Sequence, residues 1–308
     1  MSMPILIDTD MGVDDAMAVG LALASPEIRL VGLASVGGNV SLDQATINMP
    51  RVLEAFRAGT QLPMARGLDQ SAHLMNAADV HGDDGLGHVD LPAPDAFAPD
   101  ELIPFYERAI AEHGRSLAIV AIGPLTNLAY LLRERPGLLE QAGRVVVMGG
   151  AIWCKGNVTP YAEFNFYRDP VAARDLLVSG LPISVVSLDV TQQVAIDESH
   201  VARMSRSASR IGGQLARMLQ WPMAQPSEDG VGRFLVHDPL ALGTLIWPQL
   251  FLQSRMGLDI TTSGPQAGRS KPVLVKDKKR QVSVVISVNA ADFLENLLER
   301  LCNESFVV

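Results

Sequence analysis

The chain has 308 residues, 48% of them hydrophobic and 19% charged, with a net charge of −9, a balance that provides for a large core and excludes an intrinsically disordered chain. The acidic sign, with KDKKR at 276–280 as the one basic run and that run reading as a solvated loop, argues against a nucleic-acid surface and for a small-molecule partner. Two cysteines, Cys154 and Cys302, make neither a disulfide framework nor a CxxC pair, and the opening MSMPILID lacks the pattern of a signal segment. No run approaches the roughly 20 apolar residues of a membrane span, so a cytoplasmic protein with no membrane partner is expected.

Residues 4–8 read as a short buried strand, Gly12 as a tight turn and 16–24 as an Ala/Leu/Val-rich helix that is apolar on most faces. Asp8, Asp10, Asp14 and Asp15 crowd the end of that strand. Packing so many carboxylates costs several kcal/mol, about the scale of unpaired buried charge, unless a cation or a set of donors neutralises them. A bound divalent metal is the simplest answer. Further strands are predicted at 28–35, 117–122, 145–148, 183–188 and 282–288. The clearest helix is 41–58, where Ser41 and Gln44 have capping-box spacing and Leu42, Ala45, Met49, Leu53 and Phe56 form a stripe interrupted by Pro50. Helices are also predicted at 169–179, 211–219 and 290–301. This alternation predicts an α/β fold: an open, mostly parallel, Rossmann-like sheet flanked by helices, in a single domain over 1–308.

In open α/β sheets ligands bind beyond the carboxyl ends of the strands. Those positions are polar here: Asp8 and Asp10, then GGN with Asn39, then GPLTN, then Met148 with GG, then Asp189. The motifs DTDMGVDD, VGGN, VHGDDGLG, IGPLTN, VVMGG, AEFNFYRDP and VHDP occur in this order from Asp8 to Pro239, and with them the chain resembles the inosine-uridine preferring nucleoside hydrolases. The family usually carries proline where this chain has Met11, a change expected to affect turn rigidity more than chemistry.

The resemblance implies calcium-dependent hydrolysis of the N-glycosidic bond of purine and/or pyrimidine ribonucleosides to ribose and free base, in nucleoside salvage. It places one calcium per subunit on Asp10, Asp15, Asp238 and the backbone carbonyl of Ile122, and makes Asp14 the general base. The oxygen-only donor set suits a hard cation. An oxocarbenium-like transition state asks for negative charge beneath the sugar and a deprotonated water. The resemblance assigns Asn39, Met148, Asn157, Glu163 and Asn165 to the ribose. A histidine titrating near neutrality is the natural acid for the leaving base. The resemblance offers His237 as proton donor and His81 as contact to the base; His73, His88, His113 and His200 receive no role.

Base preference is expected from the loops 72–84 and 221–234, with Trp221, Gln225, Arg233 and Phe234 as candidate lining and a lid at 225–232. Cys154 has no activating base beside it in sequence and is not expected to be a nucleophile. The family implies a homodimer or homotetramer. Two alternatives compete: a metal-dependent phosphohydrolase, because DxD after a strand also suits an aspartyl nucleophile, and a non-catalytic nucleoside-binding member.

Overall fold

Alternation along the first strand sets the two faces of the molecule. In β1 (Met3–Thr9) Ile5 and Ile7 enter one hydrophobic core while Leu6 enters a second on the opposite face, as a strand buried on both sides requires. The computed structural model describes residues 2–56, 62–69, 73, 75–92, 97–225 and 232–303. The other strands are β2 (Ile28–Ser35), β3 (Met64–Arg66), β4 (Asp100–Glu101), β5 (Ala118–Ala121), β6 (Arg144–Met148), β7 (Ile183–Val186), β8 (Ala195–Asp197), β9 (Arg233–Leu235), β10 (Phe251–Ile260), β11 (Ser270–Val273) and β12 (Val282–Val288). All but the β8–β9 pair form one ten-stranded sheet in the order β11-β10-β12-β7-β6-β5-β1-β2-β3-β4. From β12 to β4 neighbours are parallel, and β10 and β11 add an antiparallel margin. The expected fold class is therefore present.

The topology locates the site before any side chain is considered. From β1 the chain builds outward through β2, β3 and β4, then returns to the other flank of β1 with β5, β6 and β7. Connections diverge above β1 and β5, which opens a crevice at their carboxyl ends. Asp8, Thr9 and Asp10 end one of these strands and Ile122 follows the other.

The predicted helix 41–58 forms as Leu42–Phe56, with Pro50 inside it and 57–58 outside the described residues. Ser41 Oγ accepts the Gln44 N–H at 3.2 Å, but the Gln44 amide turns to Asn48 at 2.8 Å, so only half of the capping box is made. Burial of Met49, Val52, Leu53 and Phe56 holds the helix through the proline. The first helix begins at Val13, earlier than expected, and so takes Asp14 and Asp15 into its first turn, where the helix dipole favours acids. The predicted 169–179, 211–219 and 290–301 appear as Pro170–Leu177, Arg210–Met218 and Ala290–Cys302. Helices Leu102–His113, Thr126–Glu134 and Asp238–Ile246 and the long strand β10 were not anticipated. The 276–280 run is exposed, as a solvated loop should be.

Candidate active site

The loop from Asp10 to Gly12 is built by unusual backbone. Met11 adopts φ +52, a left-handed conformation that costs a non-glycine residue about 1–2 kcal/mol and that proline, locked near −65°, has no access to. The Met11 side chain is fully buried and its N–H donates to Thr9 Oγ1 at 3.1 Å, so packing and a hydrogen bond hold the strained turn. The departure from the family's usual proline thus changes the backbone of the loop as well as its rigidity. Glycine is required next to it and across from it: a Cβ on Gly12 would lie 2.6 Å from Asn39 Nδ2, and one on Gly38 would lie 1.9 Å from Asp10 Oδ2.

That close approach interlocks the acids. Asp10 accepts from the Asn39 backbone N–H at 2.7 Å and from Asn39 Nδ2 at 3.1 Å, and the same Nδ2 donates to Asp15 Oδ2 at 3.1 Å. Asp15 also accepts from Thr9 Oγ1 at 2.5 Å and from the Gly12 N–H at 2.8 Å. Asp238, at the start of its helix, is brought to Asp14 and Asp15, with one carboxylate oxygen of each within 4.8 Å of the others. Asp10 joins this group through Asn39. All four side chains are buried.

Buried acids so close together cannot all be ionised without a counter-charge. Burial, reinforced by the neighbouring carboxylates, pushes Asp14 up to about 8 and Asp10 and Asp238 well above the usual range. Burial also raises Asp15, against the donors Thr9 and Gly12. Among the described residues Asp14 Oδ1 is buried without a hydrogen-bond partner, and His81 Nε2 stands 3.9 Å from it. An all-oxygen donor set with an orphaned carboxylate oxygen fits a hard divalent cation.

Asp8 does not belong to the cluster. By strand alternation its side chain shares the Leu6 face, where Tyr106 OH and Asn127 Nδ2 donate to its Oδ2 at 2.7 and 2.8 Å. Burial raises it to about 7. Its backbone carbonyl accepts the Ile122 N–H at 2.9 Å and so fixes the neighbouring strand end. Tyr106 had no signal in the sequence, because it reaches Asp8 from a distant helix, whereas Asn127 ends the GPLTN motif but received no role there.

Asn165 connects the far wall. Its Nδ2 donates to the carbonyls of Ile122 and Met148 at 2.9 and 3.2 Å, and the Met148 sulfur is 3.6 Å away. Glu163 caps the short helix Phe164–Arg168: its carboxylate accepts the N–H groups of Gly150, Asn165 and Phe166 at 2.8, 2.7 and 3.1 Å, while burial raises it to about 6. Asn157 is exposed and its Oδ1 accepts the Phe164 N–H at 3.0 Å, so it stands at the rim rather than among the acids.

The two histidines stand beside the acids, near enough to each other to interact electrostatically. Val13 N–H donates to His81 Nδ1 at 3.1 Å, which makes His81 the Nε2–H tautomer facing Asp14. His237 Nδ1 lies 2.8 Å from Thr191 Oγ1. Burial, with His237 as a secondary cause, pushes His81 down to about 3, and burial pushes His237 down to about 4. Burial thus disfavours the protonated form of both rings, against the expectation of a histidine titrating near neutrality. Phe234 meets the His81 ring edge-on at 6.3 Å and Trp221 meets His88 at 4.4 Å, whereas Arg233 is exposed. The predicted lid at 225–232 lies mostly outside the described residues.

Asp189, singled out by its position after a strand, accepts from Ser187 Oγ and the N–H groups of Ile152 and Trp153, and so ties down the loop after β6. Burial, then the Asp189 charge, raises the Cys154 thiol to about 11, which agrees with its exclusion as a nucleophile.

A family model described as inosine-uridine preferring nucleoside hydrolase matches residues 5–295. The chain is 33% identical over 311 residues to a pyrimidine-specific ribonucleoside hydrolase, RihA, of Salmonella schwarzengrund, with 98% of this chain and 99% of the relative covered. The same identity and coverage hold for RihA of Escherichia coli O9:H4. Among solved structures, the plant nucleoside hydrolase PpNRh1 superposes with a TM-score of 0.91 at 29% identity, covering 98% of this chain and 99% of that one. A purine-preferring ribonucleoside hydrolase from Gardnerella vaginalis gives 0.90 at 28%, with 99% of each chain covered. Matched along nearly its whole length, the chain belongs to the inosine-uridine preferring nucleoside hydrolase family and is an enzyme that acts on N-glycosyl bonds.

Proposed function

We propose that this enzyme is a calcium-dependent ribonucleoside hydrolase that releases ribose and a free purine and/or pyrimidine base in nucleoside salvage. The observation that carries the reading is the cluster of buried carboxylates drawn together at Asp14, Asp15 and Asp238, with Asp10 buried beside them. One calcium per subunit is held by Asp10, Asp15, Asp238 and the Ile122 carbonyl. When bound it supplies charge that anchors a sugar diol and acidifies water nearby.

The chain's own groups account for the rest. Asp14, raised by burial, takes the proton of the attacking water; a base with elevated pKa is better matched to that task than an ordinary carboxylate. The surrounding acids stabilise the positive sugar ring as the bond to the base breaks. Asn39, Asn157, Glu163 and Asn165 orient the ribose, and Met148 packs against it. His81 contacts the base. His237, held at Nδ1 by Thr191, is the proton donor to the departing nitrogen in its imidazolium form, which burial keeps a minority species at pH 7. Relatives differ in the base they prefer by name, pyrimidine in one and purine in another, so both classes belong in the test.

The protein acts as one domain over 1–308, in the cytoplasm, as a homodimer or homotetramer, on a small-molecule ribonucleoside. Among the described residues no helix is long and apolar enough to cross a membrane. A metal-dependent phosphohydrolase is disfavoured, because among the described residues the donors to Asp10 and Asp15 are asparagine, threonine and main chain rather than lysine or arginine that would cradle phosphate. Purine and pyrimidine ribonucleosides assayed for reducing-sugar release, with calcium and with chelator, test the reading. Release that survives chelation removes the calcium, hydrolysis of a phosphomonoester alone favours the phosphohydrolase, and tight binding without base release favours the non-catalytic member.

A further inference from the structure

Arg168 closes the helix Phe164–Arg168 three residues after Asn165, and it is 4% exposed. A guanidinium is never neutral at physiological pH, so burying one demands several well-placed acceptors. Three lie on Asp69, His73 and Met75, while Nε is buried without a hydrogen-bond partner among the described residues. Arg168 Nη1 donates to the backbone carbonyls of His73, at 3.0 Å, and Met75, and Nη2 donates to Asp69 Oδ1 at 3.1 Å. The Tyr167 ring stacks on His73 with centroids 4.3 Å apart and planes 11° from parallel, and the His73 N–H reaches back to the Arg168 carbonyl at 3.4 Å.

The segment held in this way leads directly to the base-side histidine. Beyond Met75 the Ala77 N–H donates to the Asn39 carbonyl at 3.0 Å, the His81 N–H donates to the Ala77 carbonyl at 2.9 Å, and His81 Nδ1 receives the Val13 N–H at 3.1 Å. The segment is therefore pinned at one end by Arg168 and at the other by the metal loop. The sugar side does not rely on Arg168 in the same way. Glu163 and Asn165 bind main-chain groups of residues 122, 148 and 150 through their own side chains. Removal of the guanidinium frees the 73–81 side first.

We infer that Arg168 is a positioning residue that sets the placement of His81 against the leaving base, without contacting the substrate. The inference rests on the nucleoside hydrolase reading above. A planar fork is needed, because the two carbonyls and the carboxylate lie around one guanidinium; a lysine ammonium is a point charge on a flexible stem and cannot reproduce that geometry.

The leaving group supplies the test. A purine or pyrimidine needs help from the protein to depart, whereas p-nitrophenolate leaves unaided, so p-nitrophenyl β-D-ribofuranoside reports the sugar side and the attacking water alone. The quantity to read is kcat/KM for inosine and for uridine divided by kcat/KM for the aryl riboside, in wild type, Arg168→Met, Arg168→Lys and Asp69→Asn, each with calcium. The quotient does not depend on the fraction of molecules that are folded. It is expected to fall by about tenfold or more in Arg168→Met, the scale on which a displaced group costs rate, with a smaller fall in Arg168→Lys and the smallest in Asp69→Asn, which keeps both carbonyl contacts. Hydrogen exchange of the Ala77 and His81 amides should accelerate in Arg168→Met while that of Phe166 stays unchanged. A quotient within about twofold of wild type, with both activities lost together, would show a merely structural arginine and overturn the inference. Wild-type protein inactive on nucleosides and on the aryl riboside alike would instead bring down the proposed function beneath it.

Discussion

Calcium is expected to stabilise the folded chain, by an amount that grows as pH rises. In the metal-free protein, burial and mutual repulsion raise the carboxyl groups of Asp10, Asp14 and Asp238, and burial raises Asp15; Asp14 moves from 3.8 to about 8. Between those two values the folded state holds protons that the unfolded chain has shed, so its stability falls as pH rises through that window. Calcium competes with those protons for the same oxygens, and its binding releases them. The calcium-bound protein escapes the alkaline loss, and at fixed calcium the gap between the two forms widens toward about pH 8. Calcium at about 100 times its Kd adds roughly 2.7 kcal/mol to the folded state. For a chain of 308 residues, with an unfolding entropy of about 0.65 kcal/mol/K, that lifts Tm by roughly 4 °C. Thermal melts in chelator and in calcium, from about pH 5.5 to about pH 8.5, measure the gap, and calorimetry in buffers of different ionisation enthalpy counts the protons released. A gap that narrows as pH rises, or one that persists undiminished in Asp238→Ala, would refute the assignment of the acids to a cation.

Four substitutions separate the roles proposed for the buried acids, their supports and the loop that carries them. Asp14→Ala should lower ribose release by about 10²–10⁴-fold, the worth of a general base, while the calcium-induced rise in Tm is kept; Asp10→Ala should lose that rise, and the opposite pattern would exchange the two roles. Tyr106→Phe removes one of two donors to the buried Asp8 carboxyl and should cost about 1–3 kcal/mol in denaturant unfolding. An unchanged midpoint would mean that Asp8 is satisfied in another way. Met11→Gly relieves a left-handed penalty of about 1–2 kcal/mol but deletes a fully buried side chain worth about 2–5, so a net loss of roughly 1–3 kcal/mol is expected. A more stable variant would show that strain outweighs packing in this loop.

What could be read along the chain was whatever repeats or clusters locally. Short apolar runs marked the parallel strands, an apolar stripe marked Leu42–Phe56 despite Pro50, and the four early aspartates announced a counter-charge problem at the end of β1. Helix Asp238–Ile246, apolar all round, carries no amphipathic period to detect, and strand β10 alternates poorly because it lies near the sheet margin. The histidines were legible as candidates but not in their protonation, since burial, which neighbouring residues in sequence do not reveal, drives both below neutrality.

The order of the amino acids by itself determined the parallel α/β alternation, the chemical type of the site and the family to which the chain belongs, because these depend on residue identity and short-range periodicity. Tertiary structure alone decided that Asp8 turns away to Tyr106, whereas the grouping of Asp238 with Asp15 was already implied by the resemblance. It also decided that Asn165 joins two strand ends, and that a buried arginine ties the sugar wall to the base-side segment. Those outcomes follow from where the sheet reverses its strand order and from which groups lose water, and neither is encoded within a few residues of the groups concerned.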